Sequence, residues 1–356
     1  MNIFVKISAF IILMATVFPC EANQSSKYKR VFSFVDGMAM VVDQKENIGF
    51  IDKTGREVIP CKYKDAGAFS EGLACVQNYN GKWGFIDKAG RLVISLESYS
   101  CKSHFHDGLA LVREIKSVAM GGRRIFRYGF IDKTGREVIP CKYKDAGYFS
   151  DGLACVQNEN GKWGFVDKTG REVIPCKYKD VKSFSEGLAW VWDPDKWRWG
   201  LIDKTGQKVV SLKKYESVNS FSDGLARVQD ENNNWGFIDK TGREVIPCKY
   251  EGACSFTEGL AWVTDGRGYY KTWGAIDKTG SMVIPFSYQS RPNSFSEGLA
   301  LFYKNGRGGF IDKTGDIVIP AIYYSINDFS EGLACVFDEN NGWCFFDKRG
   351  RIVITL

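Results

Sequence analysis

The chain has 356 residues, of which 44% are hydrophobic, 14% aromatic and 25% charged, enough apolar material for a folded core and too much for a disordered tail. Its 48 basic and 42 acidic residues leave a formal charge of +6. Both signs are scattered along the whole length, without the Lys/Arg run that marks a nucleic-acid binder.

The N-terminus departs from that pattern. Met1 to Lys6 is short and positive, Ile7 to Phe18 is a twelve-residue apolar run, and Pro19-Cys20-Glu21-Ala22 offers a small residue for cleavage. This three-part order predicts a signal peptide over residues 1–22, and the apolar run is too short to span a bilayer comfortably. Phe18 and Pro19 suit a lipid-attachment site at Cys20 poorly. The expected product is one β array over residues 23–356, exported to the periplasm, the cell surface or the medium, with no later transmembrane segment.

From Tyr28 onward the sequence is a repeat. The glycine of an F-S-E-G-L-A step recurs at Gly37, Gly72, Gly108, Gly152, Gly187, Gly224, Gly259, Gly298 and Gly332, at intervals of 34 to 44 residues. Each copy continues through Gly-aromatic-Ile-Asp-Lys-Thr-Gly, as at Gly129 to Gly135, to Val-Ile-Pro and a Tyr, as at Val138 to Tyr143. Nine units fill the chain and leave no room for a separate catalytic domain.

In the fourth unit Leu153 to Gln157 reads as a strand, and Asn158-Glu159-Asn160-Gly161 as a turn in which Asn-Gly tolerates positive φ. Lys162 to Val166 is the second strand, Asp167-Lys168-Thr169-Gly170 the second turn, and Glu172 to Ile174 a third strand ended by Pro175, which has no N–H to donate. Lys177 to Gly187 then links to the next unit, anchored by Tyr178 and Phe184. No window carries helical apolar spacing. The expectation is all-β: nine three-stranded antiparallel meanders that must stack to bury both faces. An open superhelical solenoid is preferred to a closed propeller-like toroid, because nine exceeds the usual four to eight blades and no spare half-unit remains to complete a last blade.

Eleven cysteines are present, and seven occupy two repeat positions: Cys61, Cys141, Cys176 and Cys248 after V-I-P, and Cys75, Cys155 and Cys335 after G-L-A. Other copies accept Ala, Phe, Trp, Leu, Met or Arg there, so the sites read as packing and the thiols as mostly free. The alternative is pairing of Cys61 with Cys75 and of Cys141 with Cys155. With no CxxC and only His104 and His106, no zinc-ligand set is offered.

Trp83-Gly84, Trp163-Gly164, Trp199-Gly200, Trp235-Gly236 and Trp273-Gly274, each followed by an apolar pair and Asp-Lys-Xaa-Gly, resemble the bacterial WG-repeat (KWG) family over the whole mature chain. One letter of the pair changes at Ile48-Gly49, Tyr128-Gly129, Gly308-Gly309 and Trp343-Cys344. The resemblance implies a secreted or surface-associated β-repeat protein that mediates binding, with no activity to carry over to any residue.

The Asp of each D-K-x-G (Asp87, Asp167 and Asp239 among them) reads as a turn former, because the one carboxylate has a lysine beside it and calcium needs several oxygens. The Glu or Asp before each G-L-A is equally uniform. Catalysis needs asymmetry, and no copy has an extra base, so a non-enzyme without cofactor is expected. What varies is the hairpin before W-G: from the preceding Val or Phe302 to the glycine the spacing is 8, 8, 17, 8, 9, 8, 11, 7 and 8 residues. Repeat scaffolds place such insertions on the binding face. The candidate partner-binding residues are therefore Arg123, Arg124, Phe126 and Arg127 in the third unit, Trp197 and Arg198 in the fifth, and Tyr269, Tyr270 and Lys271 in the seventh; Trp83, Trp163, Trp199, Trp235 and Trp273 are expected to be structural. A protein-binding scaffold is the first reading, a cell-wall or glycan binder using its aromatics the second, and a surface hydrolase the third.

Overall fold

The computed structural model describes residues 26–118, 122, 124–193, 198–211, 214–266 and 271–356. Every described element of regular structure is a strand, and the strands group into nine antiparallel sheets, eight of four strands and one of three. The fourth unit shows the pattern: Asp145–Ala146, Leu153–Gln157, Trp163–Asp167 and Glu172–Tyr178, each paired with the next. The expected three strands are the second, third and fourth. The extra strand is the supposed link: in the first unit it runs over Tyr28–Val35, where every third residue, Tyr28, Val31 and Phe34, is buried because the pairing is twice bulged. The eighth sheet lacks it because Arg291-Pro292 stands where that strand would pair, and Pro292 has no N–H for a ladder.

The nine sheets are blades of a closed ring, a nine-bladed β-propeller, and the open solenoid is thereby overturned. Neighbouring blades meet through a recurring set of contacts, and blades 9 and 1 meet through them too. A Phe from the third strand of one blade meets the Phe of the next blade's F-S-E-G step, as in Phe165–Phe184 with centroids 4.8 Å apart; Phe345 of blade 9 meets Phe34 of blade 1 at 4.7 Å. Ser330 Oγ donates to the Phe34 carbonyl at 2.6 Å, as Ser185 Oγ does to Phe221 at 2.6 Å. Strand exchange between the termini is unnecessary. Each blade is built from consecutive residues, and side-chain contacts alone close the circle.

Two interfaces depart from the Phe–Phe pairing and compensate in volume. Where the third strand has Leu201 or Ala275 in place of Phe, its cross-strand partner on the second strand is Trp190 or Trp262. Each indole stacks on the next blade's Phe, Trp190 on Phe221 at 6.1 Å and Trp262 on Phe295 at 5.6 Å, both with ring planes 10° apart. Close packing requires this exchange, since an uncompensated Phe-to-Ala step would leave a void.

Ser33, Ala68, Asn293 and Asp328, from the innermost segments of blades 1, 2, 8 and 9, line one common cavity of about 550 Å³. The first strands therefore face the ring axis. The fourth strands form the outer rim, where Leu92, Ile317 and Val353 are exposed. Pro175 does not end its strand, as the sequence suggests. It sits in a bulge: three residues of the third strand, Trp163 to Phe165, are matched by five of the fourth, Ile174 to Tyr178. The bulge presses on Gly164, where an added Cβ would lie 2.5 Å from the Ile174 carbonyl oxygen and 2.7 Å from the Cys176 nitrogen. The glycine of W-G is thus demanded by the proline bulge. Without the proline the pairing is regular, Gly200 with Ser211 and Cys344 with Thr355. In blade 5 the nearest atom among the described residues then stands 3.6 Å off, and blade 9 holds a cysteine; blade 2, also without proline, stays tight at 2.7 Å from the Ile94 carbonyl.

The tryptophans are less central than the glycines. Trp83, Trp163, Trp235 and Trp273 are half-buried and pack on the margins of their clusters, while Trp199 is buried. The structure pairs Cys75 with Cys101 across blades 2 and 3, their Cα atoms 6.7 Å apart, so neither pairing offered by the sequence forms. Cys61 and Cys141 instead point at carbonyls of their own blades' second strands, Val41 and Val112. The other eight described cysteines are free, and burial pushes the Cys141 thiol up to about 12 and those of Cys61, Cys176 and Cys248 to about 11. Titration with a thiol reagent in denaturant should therefore count eight among residues 26–356, and the native protein should react far more slowly. A native burst of several equivalents would contradict this.

Candidate binding faces

Antiparallel succession puts the turns joining strands 1–2 and 3–4 on one face of the ring and the hairpins joining strands 2–3 on the other. The turn face is used up structurally. In the 1–2 turn Asp151 and Gly152 have φ of 56° and 83°, and all nine blades repeat this pair of left-handed residues, the signature of a type I′ turn. An acidic residue in that conformation is strained, and what holds it is the next blade: Asp151 Oδ2 accepts the Gly187 N–H at 2.7 Å. The same bond recurs nine times, at 2.5–3.2 Å, and the last runs from Gly37 N–H of blade 1 to Glu331 of blade 9. Each of the five glutamates, and Asp36, also pairs with the D-K-x-G lysine of the following blade, as in Lys133–Glu71 at 3.0 Å and Lys53–Glu331 at 2.9 Å. The carboxylates that a hydrolase reading would enlist are thus spent on the ring.

The nine D-K-x-G aspartates close their own turns. Asp167 Oδ1 accepts the Thr169 hydroxyl at 2.6 Å and the Thr169 and Arg171 N–H groups at 3.0 and 3.1 Å. The threonine hydroxyl first, then the backbone donors, hold its carboxyl below the ordinary range, and the other eight are lowered as well. Since the folded value lies below the unfolded one, the associated stability is present above the unfolded value, about 4, and is lost as pH falls through the folded one. Denaturant midpoints should be flat from neutrality to about pH 5 and fall steadily below about pH 4. A midpoint unchanged at pH 2.5 would contradict the assignment.

The hairpin face is irregular. Blade 3 carries the longest arm, Leu109–Val118 paired with Arg124–Asp132. Arg124 is exposed at its end, and Phe126 is half-buried under the Arg113 guanidinium, 4.0 Å from the ring centroid. Arg127 is engaged: its Nε and Nη2 donate to the two Glu159 oxygens of blade 4, each at 2.7 Å, tying the arm to the neighbouring hairpin. Lys271 in blade 7 pairs with Glu251 at 2.8 Å. Arg198 lies in the third strand of blade 5. Arg123, Trp197, Tyr269 and Tyr270 fall outside the described residues. The described candidates, Arg124, Phe126, Arg127, Arg198 and Lys271, thus lie towards one face but on separate blades, 3, 5 and 7.

The ring axis went unread in the sequence, because the segment before F-S-E-G looked like a linker. One register position there is serine in five blades, Ser33, Ser183, Ser220, Ser255 and Ser294, and Ala68, His104, Tyr148 and Asp328 in the other four. The signal was available as a Phe kept in all nine copies, from Phe34 to Phe329, directly after a position that varies. Asp328 accepts from Asn293 Nδ2 at 2.8 Å, and burial raises its carboxyl. Among the described residues no three His, Cys, Asp or Glu side chains group as a metal site.

A family model described as WG containing repeat matches residues 48–83, 83–114, 128–163, 163–197, 199–234, 235–269, 273–307 and 309–343. No curated protein matches at a significant level. Among solved structures, BamB from Moraxella catarrhalis is similar at 10% identity with a TM-score of 0.40, over 80% of this chain and 91% of that one. Kluyveromyces lactis Hsv2 follows at 10% identity and 0.39, over 77% and 94%. The WD40 β-propeller domain of Doa1 shows 12% identity and 0.31, over 67% and 88%. TM-scores this low carry no argument about fold or function.

Proposed function

This chain belongs to the WG-repeat family, and from that premise we propose that it is an exported, non-enzymatic scaffold that binds a protein partner across its hairpin face. The observation that carries the reading is the division of labour between the two faces. The turn face repeats one set of inter-blade bonds nine times and is uniform in length, whereas the hairpin face varies in length and side chains from blade to blade. A rigid ring with one variable face suits recognition by loops held on a fixed frame. The first 22 residues support export through their charge and apolar order, and among the described residues no helix is long and apolar enough to cross a membrane. The glycan-binding reading leans on the W-G tryptophans, whose rings pack against the apolar clusters between adjacent blades. That leaves them less surface for stacking on sugars.

The test is to shorten the blade 3 arm to the Asn-Glu-Asn-Gly hairpin of blade 4 and compare cross-linked proteins recovered from the exported fraction. Partners should attach to hairpin-face lysines and be lost from the shortened variant at unchanged thermal midpoint. Cross-links confined to the D-K-x-G face, or glycan-array binding that survives the shortening, would overturn it. Because Arg127–Glu159 is an exposed pair worth about 1 kcal/mol or less, its loss with the arm should not unfold the ring.

A further inference from the structure

We propose that a recess at the ring axis between blades 6 and 8 is a binding site for a small oxyanion, a carboxylate or phosphate group held by Arg227 and Arg291. The first observation is positional. The residue after each L-A packs between blades and is apolar or sulfur-containing in eight copies: Met40, Cys75, Leu111, Cys155, Trp190, Trp262, Leu301 and Cys335. Blade 6 alone has an arginine there, Arg227. A guanidinium in a half-buried interface position needs a partner, because desolvating a charge without one is costly.

The second observation is what surrounds it. Arg227 lies over the Trp235 ring at 4.2 Å and donates one Nη to the Ala253 carbonyl, while its Nε is buried without a partner. Arg291, from the proline-broken inner segment of blade 8, reaches back to the Cys254 sulfur at 3.6 Å and lies 6.0 Å from the Trp273 centroid. Both arginines line one cavity of about 550 Å³ with Cys254, Ser255, Asn293 and Ser294. The only carboxylate on its wall is Asp328, which takes its hydrogen bond from Asn293, and neither arginine forms an ion pair among the described residues.

Two cations thus converge on a cavity with hydroxyls beside them and no anion paired to either. Planar guanidinium groups bind carboxylate and phosphate oxygens through charge-assisted hydrogen bonds, and stacking on tryptophan fixes their planes. The missing inner strand of blade 8 opens the recess. This site is independent of the hairpin face, and either reading can fail without the other.

The experiment uses the full exported chain and calorimetric titration with inorganic phosphate and with succinate, each against chloride at matched ionic strength. Saturable binding of either is expected, and the one that binds identifies the source of the oxyanion. Arg291→Gln should weaken it about tenfold or more with the ligand-free thermal midpoint unchanged. Arg227→Met, which restores the apolar residue type of the other blades, should abolish binding while the midpoint stays equal or rises. Failure of both anions to bind saturably at 10 mM, about the weak end of measurable affinity, overturns the proposal, as does undiminished binding by Arg291→Gln. That last variant carries the test even if Arg227→Met does not fold.

Discussion

Replacing Phe345 by Ala is expected to destabilise the protein by about 3–5 kcal/mol, as much as replacing Phe165. Both rings are fully buried, and each meets one Phe of the following blade at nearly the same distance. For Phe165 the following blade is the next in sequence. For Phe345 it is blade 1, nearly the whole chain away. In an open array Phe345 and Phe34 would stand at opposite ends, and truncating either would leave no cavity. The matched pair, read from denaturant midpoints, is therefore a direct test of closure. A loss of several kcal/mol at Phe165 with almost none at Phe345 would mean an open chain. Total stabilities are about 5–15 kcal/mol, so either substitution removes a large share.

The second large effect separates two glycines at the same repeat position. Gly164→Ala should cost about 1–3 kcal/mol or more, since its Cβ would lie 2.5 Å from the Ile174 carbonyl and the fourth strand must move. Gly200→Ala should be neutral or slightly stabilising, because the nearest atom among the described residues is at 3.6 Å and alanine is the better residue in a strand by about 0.5–1 kcal/mol. Neither glycine has a positive φ, so backbone strain does not confuse the comparison. Equal destabilisation of both would show that the glycine serves something other than the proline bulge.

The strands, turns and family were legible in single residues. Asn160-Gly161 and Asp167 to Gly170 form the turns their chemistry demands, with Gly161 and Gly170 at φ of 73° and 83°. The D-K-x-G aspartates close their own turns, as Asp167 does through Thr169 and Arg171. Two further features were legible but went unread: the pairing of Trp190 with Leu201 and of Trp262 with Ala275, and the lone Arg227 in an apolar column. The first strand was missed because in most blades only two of its residues pair regularly, as at Asp145–Ala146, and the rest is held by isolated bonds such as Gly147 N to the Cys155 carbonyl.

What this sequence determined by itself is the blade, because turn chemistry and alternation act over a few residues and repeat nine times. What only the tertiary structure decided is closure and the face left over for binding. Each inter-blade bond, from the Asp36 carboxylate on Gly72 N–H to Glu331 on Gly37 N–H, joins residues about one repeat apart or at opposite ends of the chain. Whether the ninth bond forms depends on the small rotation between neighbouring blades summed around the circle. No local pattern encodes that sum; aromatic packing at every interface, Phe on Phe at seven and Trp on Phe at two, sets it, and with nine such angles the last blade returns to the first.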